Sequence, residues 1–392
     1  MSTLANEIPN DDSQQDWNQD ILENVESSTL TNLVVYSRDW TVETIFNQIA
    51  QSNIDLNPRF QRRNAWNDES RSRLIESLIV GIPVPEVVFA EDSQKKKSFI
   101  VIDGKQRLLT IAGFIDPTRF PYWDNPKLQG LKMRPDLKGL IYAEIENNTK
   151  LADIRRELLN ADIRCTIISN YSSDDILYDV FHRLNTSSVP LSTQELRQAL
   201  NKGEFGAYLM ELTDTKQPIH VVLGISGPDA RLRDSELVLR NLAFSMFGET
   251  YSGNLKKFLD DAMKRLNSGW PGFKQAVDAE YAKFNQGLAH LRDILPARRV
   301  GRKITAGEWE WRFNKAVFEA EVHFFKQLEP SANLGECQVK FSDAFTKLCD
   351  DQEFRDSIEA TTKTVSQYRI RYSKFYSLMK NVFAQDFEMP KF

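Results

Sequence analysis

Five successive residues, Asp103, Gly104, Lys105, Gln106 and Arg107, bring a carboxylate, a permissive glycine, two cations and an amide into one short stretch. The chain is apolar before them (FIVI) and after them (LLTI), so the pattern reads as a strand, a tight turn and the start of a helix. Unpaired N–H groups and the positive dipole end at such a helix start attract phosphate. Arg107 adds a two-pronged grip on phosphate oxygens and Lys105 adds charge. Asp103 can hold a divalent cation directly or through water, and Gln106 can orient a water or a phosphate oxygen. The competing reading is plain helix punctuation, with Asp103 as N-cap and Gln106 three positions on as its capping partner.

Three further stretches mix the same residue types. NPRFQRRNAW holds Arg59, Gln61, Arg62, Arg63 and Trp66, which suits a planar anionic ligand such as a nucleotide or an extruded base. It equally suits a solvated basic turn anchored by Phe60 and Trp66. In FHRLNTSSVPLSTQELRQA, His182, Arg183 and Asn185 close one helix, while Glu195, Arg197 and Gln198 lie in the next. The Ser/Thr-rich turn between them offers donors to a phosphate or sugar and also serves as ordinary punctuation. His182 reads as a helix C-terminal cation rather than a general base. In RLRDSELVLRNLAF, Glu236 and Arg240 are spaced to pair on one helix face. ARRVGRK, residues 297–303, reads as a solvated basic loop.

The elements that must position these residues follow from periodicity. A strand approach covers Leu30–Tyr36, and TVETIFNQIAQ then puts Val42, Ile45, Phe46 and Ile49 on one helical face behind a simple Thr41 cap. Asp68 is the expected cap of a helix that buries Leu74, Ile75, Leu78 and Ile79 and stops at Gly81. Strands are expected over 87–90 and 98–102, joined by a polar hairpin loop, with another at ADIRCTIIS. Residues 115–150 read as an irregular excursion, and Ser192 with Glu195 has capping-box spacing. Beyond about residue 215 the segments 235–247, 254–267, 272–292, 305–328, 334–350 and 365–383 all show helical spacing. The fold class is therefore α+β, an α/β core followed by an all-helical C-terminal domain.

Composition narrows the function classes. The chain has 392 residues, enough for two domains, and a net charge of −5. Residues 1–37 hold seven acids and no Lys or Arg, so the remainder carries 50 − 48 = +2. That balance permits a local anion site without demanding nucleic acid. Cys165, Cys337 and Cys349 are too widely spaced for a paired framework, and the four histidines stand at no zinc-site spacing. No long uncharged apolar run and no signal-like N-terminus is present, so no membrane contact and a cytoplasmic location are expected. The expected organisation is an acidic, disordered lead-in over 1–28, an α/β domain over 29–215 and a helical domain over 216–392.

Taken in order, NPRFQRRNAW, LIESLIVGIPVPEVVFAE, VIDGKQRLLTI, FHRLNTSSVPLSTQELRQA and RDSELVLRNLAF resemble the DGQQR-motif family, the N-terminal domain of GmrSD-type modification-dependent restriction enzymes. The resemblance spans roughly residues 30–245 and implies a ParB/sulfiredoxin-like core. It further implies binding and hydrolysis of a nucleoside triphosphate with Mg²⁺, and a role in anti-phage defence by sensing modified DNA. Asp103, Gly104, Gln106 and Arg107 match the motif, whereas Lys105 stands where the family has its first Gln. A cation there strengthens phosphate binding, but hydrolysis slows if the missing amide positions the attacking water.

Asp103, Gln106 and Arg107 are the expected catalytic residues, with Asp103 at the metal. Arg59, Gln61, Arg62, Arg63, Gly104, Lys105 and Asn185 are the expected nucleotide-binding residues. Many relatives carry or partner an HNH-type nuclease, but His290 and His323 lie far apart with no such cluster. A separate nuclease subunit is therefore expected to cut the DNA, and a homo-oligomer is compatible with this reading. The alternative is a non-catalytic ParB-like DNA-binding protein; a nuclease built into the α/β core lacks a convincing carboxylate cluster. Alanine at Asp103 or Arg107 is expected to abolish nucleotide turnover or binding with the fold intact. An Arg107 locked in an internal ion pair with no open cavity beside it would count against the whole reading.

Overall fold

The computed structural model describes residues 33–56, 66–93, 95–174, 176–178, 180, 192–329, 334–360 and 362–392. The acidic lead-in, the NPRFQRR cluster and the His182–Asn185 stretch lie outside them. The described chain packs as two units that meet in sequence between Leu200 and Asn201.

The first unit is built on a mixed five-stranded sheet. Its strands are β1 (Val34–Thr41), β2 (Ile54–Asp55), β3 (Val87–Glu91), β4 (Phe99–Asp103) and β5 (Asp162–Ser169), in spatial order β1-β5-β3-β4-β2. β1 runs antiparallel to β5 and β3 antiparallel to β4, while the β3–β5 and β2–β4 pairs are parallel. Alternation sorts the side chains. Val87, Phe89, Phe99, Val101, Ile163, Cys165 and Ile167 face the main core, and Val88, Ala90, Ile100, Ile102 and Ile168 face a smaller one.

Helices α1 (Val42–Ala50), α2 (Asp68–Val80), α3 (Lys105–Ile115), α4 (Tyr142–Asn147) and α5 (Ala152–Asn160) supply buried residues to the main core. As expected, α1 is capped by the Thr41 hydroxyl, which accepts from Thr44 N–H at 3.1 Å, and α2 stops at a left-handed Gly81. The α2 cap, however, is Asn67, whose Oδ1 accepts from Ser70 N–H; Asp68 is already helical. The excursion after α3 is less irregular than expected, since it contains α4, and it is not loose, since it buries Phe120, Tyr122, Trp123, Leu128 and Leu137. The buried Glu76 carboxylate fixes its backbone by accepting from Lys132, Met133 and Arg134 N–H. Burial alone would raise the Glu76 pKa, but these three bonds outweigh it and lower it.

The smaller face carries α6 (Thr193–Leu200), which packs Leu196 against β4. Its capping box forms as spaced: Glu195 N–H donates to Ser192 Oγ at 3.1 Å and Ser192 N–H to Glu195 Oε2 at 2.6 Å.

The second unit is mostly helical: α7 (Glu204–Glu211), α8 (Pro218–Leu223), α9 (Arg233–Phe247), α10 (Leu255–Ser268), α11 (Lys274–Ile294), α12 (Lys315–Phe325), α13 (Cys337–Asp350), α14 (Gln352–Glu359) and α15 (Val365–Phe383). One expected helix, 305–328, is shorter than its pattern. Residues 304–309 instead form a small hairpin, β6 (Ile304–Thr305) and β7 (Glu308–Trp309), turned by Ala306 and Gly307 at positive φ. The basic loop is solvated at Arg298, as expected, but turns inward at its end. Arg302 stacks 4.9 Å from the Phe313 ring centroid and donates to the Val300 carbonyl, while Lys303 pairs with Glu310 and Glu359. All three cysteines are free thiols.

Candidate functional site

The DGKQR stretch sits where a strand irregularity meets a left-handed turn. The β3–β4 register shifts between Val88 and Phe89, so that Val88 pairs with Asp103 while Phe89 pairs with Val101. Such a bulge re-aims the end of a strand. Gly104 follows at φ +92, a conformation that favours glycine, and a Cβ there would lie 2.9 Å from Val87 Cγ2. The chain then enters α3 with Gly104 as N-cap and no side-chain capping hydrogen bond. The competing reading, an Asp103–Gln106 capping pair, is therefore not realised.

Asp103 is used differently. Its Oδ2 accepts from Arg107 Nη2 at 2.8 Å, and the same nitrogen donates to the Glu86 carbonyl at 2.7 Å. The Arg107 side chain is 6% exposed and that of Asp103 20%. The guanidinium thus ties the turn to the residue before β3 and, in this conformation, does not present a free fork to a ligand. The first half of the condition set against the reading is met. Alanine at Asp103 would leave the buried Arg107 guanidinium without its carboxylate, so that variant is expected to lose stability, by about 3 kcal/mol.

Other atoms of the turn remain open to a ligand. Gln106 Oε1 and Arg107 Nε are buried with no hydrogen-bond partner. An unpartnered buried polar atom costs about 1–3 kcal/mol, so a donor brought to Gln106 Oε1 would be favoured. Lys105 Nζ lies 3.8 Å from Glu195 Oε1, which joins the turn to the capping box of α6. On α6, Thr193 Oγ1 and Gln194 Nε2 are likewise buried without a partner. The Glu86 carbonyl, Thr193 and Gln194 escaped the sequence reading. The signal available for α6 was that TQELRQ, polar at nearly every position, has no apolar face wide enough to leave its polar groups in water, and all six of these residues are buried.

Arg59, Gln61, Arg62, Arg63 and Asn185 lie outside the described residues. Among the described residues no group of three potential metal ligands occurs. A Mg²⁺ at Asp103 would therefore be held mainly by phosphate oxygens and water, which is that ion's usual habit. Glu236 and Arg240 pair at 2.8 Å, as their spacing suggested.

Residues 42–201 match the family model described as GmrSD restriction endonuclease, N-terminal domain. No curated protein and no solved structure gives a match.

Proposed function

Because residues 42–201 match the GmrSD-type N-terminal domain, we propose that this chain is a nucleotide-binding sensor or regulatory subunit of a modification-dependent restriction system, acting on DNA with a separate nuclease. The observation that supports a ligand at DGKQR is the uncapped first turn of α3 behind a left-handed Gly104, beside a buried and unpartnered Gln106 Oε1. Backbone N–H groups of that turn donate to phosphate oxygens, and Lys105 adds positive charge. Gln106 Oε1 accepts from a water or a ribose hydroxyl. Bound Mg²⁺ would neutralise phosphate charge at Asp103. Arg107 keeps the turn in place while it holds Asp103, and it reaches phosphate only when that pair opens.

The separate nuclease is supported by the use already made of the described histidines. His220 Nε2 is bonded to Asp234 and His290 Nδ1 to the Phe325 carbonyl, and His323 Nε2 meets the Glu388 carbonyl.

The test is a calorimetric titration of the full chain with each nucleoside triphosphate, with and without Mg²⁺ and DNA. Saturable, Mg²⁺-dependent binding that is lost in Gln106→Ala and Lys105→Ala supports the proposal. DNA affinity that ignores nucleotide and falls steeply with salt replaces it with a non-catalytic, ParB-like DNA-binding protein.

A further inference from the structure

The five-stranded sheet ends on one side in a strand with an open edge. β1 pairs with β5 along its whole length and has no strand on its other side. In an antiparallel ladder alternate residues turn their N–H and C=O groups away from the paired strand. No backbone–backbone hydrogen bond joins Val34–Trp40 to any described residue outside β5. None of the eight residues of β1 is buried, and Val34 and Val35 are 46% and 54% exposed.

Long edges are ordinarily guarded by Lys, Pro, a bulge or a shortened strand, because an open edge is a template for another strand. β1 has none of these guards: VVYSRDWT carries neither Lys nor Pro, and its pairing with β5 runs without a shift. Its charges are one of each sign. Asp39 accepts from Arg164 Nε at 2.7 Å, and the Arg38 guanidinium lies 5.2 Å from the Tyr36 ring centroid.

The strand is complementary to itself in one alignment. A second copy added to this edge by a two-fold axis normal to the sheet runs antiparallel and keeps every residue on its own face, so residues of like face oppose each other. Centring the axis on Arg38 or Asp39 sets like charges directly opposite, which is destabilising. Centring it on Tyr36 or Trp40 shortens the overlap. Centring it on Ser37 puts Ser37 opposite its own counterpart, Tyr36 opposite Arg38, Val35 opposite Asp39 and Val34 opposite Trp40. A cation then meets a tyrosine ring and a branched aliphatic meets an indole, each twice by symmetry, and both are favourable cross-strand pairs.

We propose that β1 is a homodimer surface: two copies of the chain join edge to edge, antiparallel about Ser37, and their five-stranded sheets become one continuous sheet. The outward backbone groups of each copy supply the other's hydrogen-bond partners. One strand-to-strand contact is a small interface, so the dimer forms and dissociates with concentration.

The full-length chain is followed by sedimentation velocity over a range of concentrations, where a reversible monomer–dimer equilibrium is expected. Ser37→Lys sets two ammonium groups opposite each other on the axis and should weaken dimerisation by about 10-fold or more. Ser37 is exposed, so the urea midpoint of the monomer should stay unchanged. The alignment is read in a Cys337→Ser background, since Cys165 and Cys349 are buried. Under a mild oxidant Ser37→Cys should link two copies across the axis, whereas Val35→Cys, which faces position 39 of the other copy, should not. If Ser37→Lys does shift the urea midpoint, the two cysteine variants decide alone. The proposal is overturned if the chain stays monomeric at every concentration, the edge then being left for its own N-terminal stretch or for a strand of another protein. It is also overturned if Ser37→Lys folds and dimerises unchanged, or if Val35→Cys links more readily than Ser37→Cys.

Discussion

At the scale of single residues, the strongest constraint on the turn is that Asp103 and Arg107 answer each other's charge. Asp103→Asn keeps a hydrogen-bonding side chain against the guanidinium and should fold with modest loss, whereas Asp103→Ala should lower stability by about 3 kcal/mol or more. Urea unfolding of the two variants measures the difference. If Asp103 also serves a metal, Asp103→Asn should lose Mg²⁺-dependent nucleotide binding while remaining folded. Glu321 offers a pH test of a different kind. It is fully buried with only Gly301 N–H on Oε2, and burial pushes its pKa from 4.5 to about 8. Between those values the unfolded chain has lost this proton and the folded chain keeps it, so Glu321 lowers stability progressively as pH rises from 4.5 to about 8, with no further loss above. Glu321→Gln should flatten the stability profile across that window, as read from denaturant midpoints at pH 5, 6.5 and 8.

At the scale of elements, local signals were legible and non-local ones were not. The Thr41 cap, the Gly81 stop, the Ser192–Glu195 capping box and the glycine turn before α3 depend on neighbours within four residues, and the chain forms them as spaced. The sheet order depends on pairings such as β3 with β5 across more than seventy residues of chain, which no local pattern encodes. The 304–309 hairpin was hidden because its turn places Ala306 at φ +51, where Asn or Gly would have announced it. The Asp103–Arg107 pair stands at ordinary i,i+4 spacing, which does not by itself distinguish an ion pair from a phosphate grip or a helix cap. Gly104→Ala tests the turn. Its left-handed φ and the approach to Val87 should cost about 1–2 kcal/mol from the backbone alone, with loss of nucleotide binding by calorimetry. Val87→Ala in the same chain should relieve the contact but not the backbone strain.

At the scale of the whole molecule, the sequence showed two kinds of architecture joined in one chain, but not the charge built into the second. In YRIRYSKFY, Arg369 and Arg371 look alike, yet Arg369 is exposed and Arg371 is fully buried. Only packing distinguishes them: Arg371 donates to the Ser357 and Thr362 carbonyls. None of the described helices is long and apolar enough to cross a membrane. The purified chain with Mg²⁺ and no partner should leave supercoiled plasmid uncut on an agarose gel. Nicking by the chain alone would remove the need for a second subunit.

The Glu195 carboxylate belongs to two conversations at once: one oxygen holds the amide that starts α6 and the other faces the Lys105 ammonium. A phosphate bound as proposed would bid for the same lysine. Each step by which Lys105 turns toward that anion withdraws countercharge from Glu195 and alters its grip on Ser192, so occupancy of one turn becomes tension in another. Exchange of the Ser192 amide hydrogen with solvent, followed with and without nucleotide, would register that transfer directly.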